Sequence, residues 1–130
     1  MENRQYNVVG WFEIYVQDIE KAKKFYGEVF QVEFEDMNDP TDQNMKMAAF
    51  PMQQQEVYGA PGCLVQMQGV PSGGNSTIVY FSSADCSVQE ARVETAGGKV
   101  FKPKMPIGEH GFMSLCSDVD GNMFGIHSMN

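Results

Sequence analysis

Apolar and polar positions change period several times along the chain, and the changes mark out strand-like and helix-like stretches. Residues 8–16 contain the apolar-rich run Gly10-Trp11-Phe12-Glu13-Ile14-Tyr15-Val16, which reads as a first strand. Asp18 can then accept hydrogen bonds from the free amides of a following turn, as a helix N-cap does. Behind it Ala22, Phe25, Tyr26, Val29 and Phe30 recur at helical spacing and give one apolar stripe for packing on a sheet. Gly27 lies inside that stripe at about 1 kcal/mol relative to Ala, so the helix is expected to fray there. A short strand at 31–35, a polar loop from Asp36 to Asn44, a third strand from Met45 to Phe50 and a fourth from Cys63 to Met67 follow. The intervening stretch from Gln53 to Gly62 is long enough to act as a flap.

The same series then recurs. After the flexible join Gly69 to Asn75, the pattern predicts a strand at 77–83, a helix at about 86–96 opened by Asp85, and a stop at Gly97-Gly98. Strands at 99–102, 111–116 and 123–128 follow, with Asp120-Gly121 as a two-residue hairpin signal. Asp85 lies 67 positions after Asp18. Each copy is β-α-β-β-β, one over about 7–68 and the other over about 76–129, within a single α+β domain of residues 1–130. Two copies are too few for a solenoid, so they should pair around one shared surface, and function should sit there.

Composition narrows the class. Apolar residues at 42% and charged residues at 20% suit a globular chain, and no apolar run approaches the roughly 20 residues of a membrane span. The N-terminus lacks the layout of a signal peptide, so the cytoplasm is expected. A net charge of −8 disfavours general nucleic-acid binding. Cys63, Cys86 and Cys116 are odd in number and far apart, which points to reduced, partly buried thiols rather than disulfides or zinc. Met45, Met47, Met67, Met113 and Met123 fall in strand-like stretches, either as ordinary core or as the lining of an adaptable apolar cavity.

The segments Phe12 to Asp18, Ala22-Lys23-Lys24-Phe25-Tyr26, Val79-Tyr80-Phe81, Ala96 to Val100 and Asp118 to Ile126, in this order and spacing, resemble the vicinal oxygen chelate superfamily. That superfamily includes glyoxalases, extradiol dioxygenases and bleomycin-resistance proteins. The resemblance implies a curved, eight-stranded mixed sheet around a cleft, and a homodimer. It also implies metal ligands on four inward strand positions in the metal-dependent members. Three of those positions are here Trp11, Ile78 and Gly125; the fourth lies on the fourth strand, where Gln66 is the only polar side chain of Cys63 to Met67. Indole, alkyl and hydrogen cannot coordinate a divalent cation, so neither metal nor other cofactor is expected.

Side chains two apart on a strand share a face. If Trp11, Ile78 and Gly125 point inward, so do Glu13, Tyr80 and His127. These, with Met113, are the candidate ligand-binding residues, and Glu13 and His127 are the candidate acid–base groups. Each has a structural alternative: Glu13 as a satisfied buried carboxylate, His127 in a frayed terminus, Tyr80 and Trp11 as core. His110 falls in a loop over the cleft mouth, and Glu20 and Lys24 are spaced as a helix-surface pair. The leading expectation is a metal-independent protein that binds an apolar or aromatic small molecule. The alternatives are a metal-independent isomerase, epimerase or lyase using Glu13 and His127, a dimerisation platform, and a metal enzyme.

Overall fold

The computed structural model describes residues 7–39, 42–52, 59–119 and 121–130. The chain runs β1 (Val9–Tyr15), α1 (Ile19–Phe30), β2 (Glu35–Asp36), β3 (Met45–Ala49), β4 (Gly62–Met67), β5 (Thr77–Ser82), α2 (Cys86–Val93), β6 (Lys99–Pro106), β7 (Phe112–Ser117) and β8 (Met123–Ser128). A 3-10 turn covers Gly108–His110. The fold is α+β, with two helices and eight strands in mixed pairing. Backbone contacts divide it into an N-terminal unit, Phe12–Thr77, and a C-terminal unit formed by the residues through Trp11 together with Ile78–Asn130. Among the described residues no helix is long and apolar enough to cross a membrane.

In the N-terminal unit the strand order is β2-β3-β4-β1, with β1 parallel to β4 and the other pairs antiparallel. Asp18 opens α1 as its pattern predicts: its Oδ1 accepts from the amides of Glu20 at 3.0 Å and Lys21 at 3.2 Å. A third orphan amide of the first turn, that of Ile19, donates to Gln66 Oε1 at 2.8 Å. The helix continues through Gly27 without the expected fraying and ends at Gln31, which adopts the left-handed conformation (φ 55°). Because Gln31 serves as this cap, with its amide directed to the Gly27 carbonyl, the strand expected at 31–35 begins only at Glu35. Ile19, Ala48 and Leu64 form the core under α1, packed by Ile14, Val16, Ala22, Tyr26, Phe34 and Phe50. On the helix surface Lys23, rather than Lys24, takes Glu20 (3.6 Å) and also Asp36 (3.3 Å). Exposed pairs of this kind contribute little.

The C-terminal unit repeats the arrangement as β5-β8-β7-β6, with β5 parallel to β8 and the other pairs antiparallel. Asp85 caps α2, its Oδ1 accepting from the Ser87 amide at 3.0 Å and from Lys104 Nζ at 2.9 Å. These contacts hold its carboxyl below the usual carboxylate range, at about 2, with the Lys104 hydrogen bond as the largest cause. The helix stops at Val93, short of the expected 96, and the Gly98 amide returns to the Val93 carbonyl at 2.9 Å. Cys86, Cys116 and Ile126 form the core here, packed by Val93, Val100, Phe112 and Phe124.

Two strand expectations need correction in this unit. β6 extends to Pro106 rather than ending at 102, because the end strand of the order tolerates Pro103 and Pro106 and absorbs them with two register shifts, at Val100/Lys102 and Lys102/Met105. The two-residue hairpin expected at Asp120-Gly121 is instead a longer connection. Ser117 pairs with Met123, and the Asp118 amide reaches across the loop to the Asn122 carbonyl at 2.9 Å. Asp120 itself, and residues 53–58 of the expected flap, lie outside the described residues.

Candidate functional site

Which face each strand residue takes follows from the helix cores. On β1 the side chains of Ile14 and Val16 pack toward α1, so Glu13 and Tyr15 take the opposite face. On β4 Leu64 packs toward α1 and Gln66 reaches the α1 N-terminus, so Cys63, Val65 and Met67 share the face of Glu13. Across β3, Met45, Met47 and Ala49 pair with Met67, Val65 and Cys63 and extend that face. Gln66, the only polar side chain of the strand that carries the fourth position, therefore lies on the other side of the sheet from Glu13 and serves as a helix cap.

The centre of this face is polar within apolar surroundings. Glu13 is only 9% exposed, and its Oε1 accepts a hydrogen bond from the Tyr15 hydroxyl at 2.9 Å. Glu13 and Cys63 are directly paired across the parallel strands. Burial, then the charge of Glu13, pushes the Tyr15 hydroxyl and the Cys63 thiol well above their ordinary values. Tyr15 therefore remains a donor and Cys63 a neutral thiol. A thiol held this way is not a nucleophile, and all three cysteines are free and buried. Tyr15 and Cys63 were not among the sequence candidates. Tyr15 was nonetheless legible, since it stands two positions from Glu13 on the same strand.

The remaining candidates belong to the C-terminal unit. Ser128 Oγ accepts from the Cys86 amide of α2 at 3.0 Å, so His127 and Gly125 take the face away from α2. Tyr80 lies against Gly125: a Cβ at that glycine would fall 2.3 Å from two ring carbons of Tyr80. Tyr80 and Ile78 are buried, while Trp11 is half-buried and engaged. Met113 pairs with His127 across β7 and β8. His127 Nε2 lies 2.6 Å from the His110 carbonyl oxygen. A carbonyl accepts, so Nε2 carries the proton, and in the neutral ring Nδ1 holds the lone pair. His110 thus touches the candidate histidine through its backbone, while its own ring is exposed.

The donor set does not fit a divalent cation. Trp11, Ile78 and Gly125 offer no ligand atom, and Gln66 is directed to α1. Among the described residues no group of three or more His, Cys, Asp or Glu is placed to hold a metal ion. A separate open cavity of about 620 Å³ lies at one end of the N-terminal unit, lined by Gln17, Asn44, Lys46, Gln66, Met67 and neighbouring backbone. Glu13 and Tyr15 do not line it.

The model of the Glyoxalase/Bleomycin resistance protein/Dioxygenase superfamily matches residues 8–126. No curated protein matches the sequence. Among solved structures, a hypothetical protein from Bacillus halodurans C-125 superposes with a TM-score of 0.70 at 12% identity, covering 94% of each chain. A variant methylmalonyl-CoA epimerase of Streptomyces coelicolor, in complex with 2-nitronate-propionyl-CoA, gives 0.65 at 12% identity, covering 93% of this chain and 96% of that one. Methylmalonyl-CoA epimerase from Mycobacterium tuberculosis gives 0.66 at 10% identity, covering 95% and 88%. At such identities the likeness is one of fold.

Proposed function

Starting from the fact that the chain belongs to the Glyoxalase/Bleomycin resistance protein/Dioxygenase superfamily, we propose that it is a metal-independent small-molecule-binding member. Its ligand is an apolar or aromatic compound carrying a hydrogen-bond donor. One observation carries the reading. On the sheet face turned away from α1, a buried carboxylate, Glu13, is steadied by Tyr15 and paired with Cys63, and Val65 and the methionines of β3 and β4 extend the same face. Apolar walls with a small number of oriented polar groups are the general make-up of ligand sites. Thioether side chains adapt to ligand shape at low energetic cost.

The test is a thermal-shift and Trp11-fluorescence screen of aromatic amines, alcohols and thioethers against wild type, Glu13→Gln and Tyr15→Phe. At least one donor-bearing compound should bind wild type and lose about tenfold in Glu13→Gln, the loss expected when a charged hydrogen bond becomes neutral. Silence across the panel, or equal affinity in the variant, refutes the proposal.

A second reading is a metal-independent isomerase, epimerase or lyase with Glu13 and His127 as acid–base groups. The observation favouring it is the Nε2 contact of His127, which orients the ring and leaves Nδ1 as the basic nitrogen. Its mark is turnover, for instance solvent deuterium incorporation into a bound carbon acid, that is lost in His127→Gln while binding persists.

A further inference from the structure

On the α2 side of the C-terminal sheet, the opposite face from Tyr80 and His127, lies a cavity of about 390 Å³ that the proposed function does not use. Phe81, Phe124 and Ile126 from β5 and β8 and Val93 and Ala96 from the α2 end line it. The rings of Phe81 and Phe124 meet edge to face with centroids 5.8 Å apart. Ile126 is 3% exposed, so the wall is continuous with the core. This volume falls within the range of small-molecule pockets.

Two charged groups also line the cavity, and they differ in commitment. Asp118 is tied into the β7–β8 connection, its Oδ1 accepting from the Asn122 amide at 2.9 Å and its Oδ2 from Asn122 Nδ2 at 3.0 Å. Arg92, in the last turn of α2, makes no ion pair among the described residues. A guanidinium beside an aromatic-walled cavity selects for an anion that carries an apolar body. The charge of that anion is limited. The cavity lies at the C-terminal end of α2, where the helix dipole is negative, and Asp118 adds a second negative field. A monoanion is accommodated and a phosphate dianion is opposed.

We propose that this cavity is a second ligand site, taking a compact aromatic or aliphatic carboxylate whose body rests on Phe81 and Phe124 and whose carboxylate meets Arg92. The experiment is calorimetric titration of the full chain with 4-phenylbutyrate and with its neutral tertiary amide, N,N-dimethyl-4-phenylbutyramide, which has no hydrogen-bond donor to offer Glu13. Wild type should bind the carboxylate about fivefold more tightly, the ratio of an exposed ion pair. Arg92→Gln should bring that ratio to about one. Ala96→Phe, which fills the cavity from an exposed position, should abolish binding of both probes with an unchanged circular dichroism spectrum. Glu13→Gln should bind both as wild type does, which separates this site from the Glu13 face. Equal affinity for acid and amide in wild type, binding that survives Ala96→Phe, binding lost in Glu13→Gln, or no heat at millimolar probe would each overturn the assignment.

Discussion

Tyr15→Phe removes one hydroxyl and keeps the ring, so it isolates the bond that steadies Glu13. That bond is 2.9 Å long and reaches a carboxylate only 9% exposed, so solvent screens it little. Hydrogen bonds to charged groups contribute about 1.5–3 kcal/mol. Glu13 keeps its other interactions, which places the expected loss near the lower half, at about 2 kcal/mol. With a urea slope of roughly 1.5–2 kcal/mol/M, the unfolding midpoint falls by about 1 M. The informative control is the same substitution in a Glu13→Gln background. There the partner is a neutral amide, and the loss should shrink to about 0.5–1 kcal/mol, leaving a coupling energy of about 1 kcal/mol. The assay is equilibrium urea unfolding at pH 7 on all four proteins. Equal losses in both backgrounds, or a loss below about 0.5 kcal/mol with Glu13 present, would refute the claim that the charge of Glu13 is held by Tyr15.

Four further outcomes follow from the geometry. Asp85 is held low, at about 2, so its stabilising charge is complete above the ordinary carboxylate pKa near 4 and is lost as pH falls toward 2. Asp85→Asn keeps the cap but should flatten the pH dependence of the thermal midpoint across that window, and an unchanged slope refutes this. Burial raises Cys63 and Tyr15, so their neutral forms favour the fold. Stability should hold below about pH 9 and decline as pH rises above it. Ellman's reagent should find no fast-reacting thiol in native protein at pH 8, and the three buried cysteines only after denaturation; a rapid native reaction refutes it. Gly125→Ala forces the Tyr80 ring to move and should destabilise by about 1–3 kcal/mol in the same urea assay, whereas a neutral result would mean the ring has room.

Much of this was legible before the structure. The carboxylates of Asp18 and Asp85 marked both helix starts, because capping is local chemistry with a short sequence signature. The strand-level errors have physical causes. The strand expected at 99–102 stopped just before Pro103, yet an end strand needs only one of its hydrogen-bonding sides, so β6 runs on past Pro103 to Pro106. On β4 Cys63, Leu64 and Val65 are all buried, so the strand shows no alternation and its face could not be read. The sequence therefore left the face of Gln66 open, and the core packing of Leu64 turns both toward α1. On β1 the alternation was intact. Glu13 and its face were therefore legible, and Tyr15 lay one step further along the same rule. The cavity beside Arg92 had no sequence signal, since it is assembled from segments up to 45 positions apart.

The kinked course of β6 bears on how the molecule meets other copies of itself. An outermost strand of eight residues, with Phe101 and Met105 exposed, is in principle a template for adding a foreign strand. Here its free side is disarmed along much of its length. Pro103 and Pro106 have no amide to donate, the Lys104 amide is already given to Glu90 Oε1 at 2.5 Å, and Lys99, Lys102 and Lys104 repel an identical strand laid alongside. The register shifts break the straight ladder that such an addition requires. The C-terminal sheet is thereby shielded from runaway self-assembly at this strand.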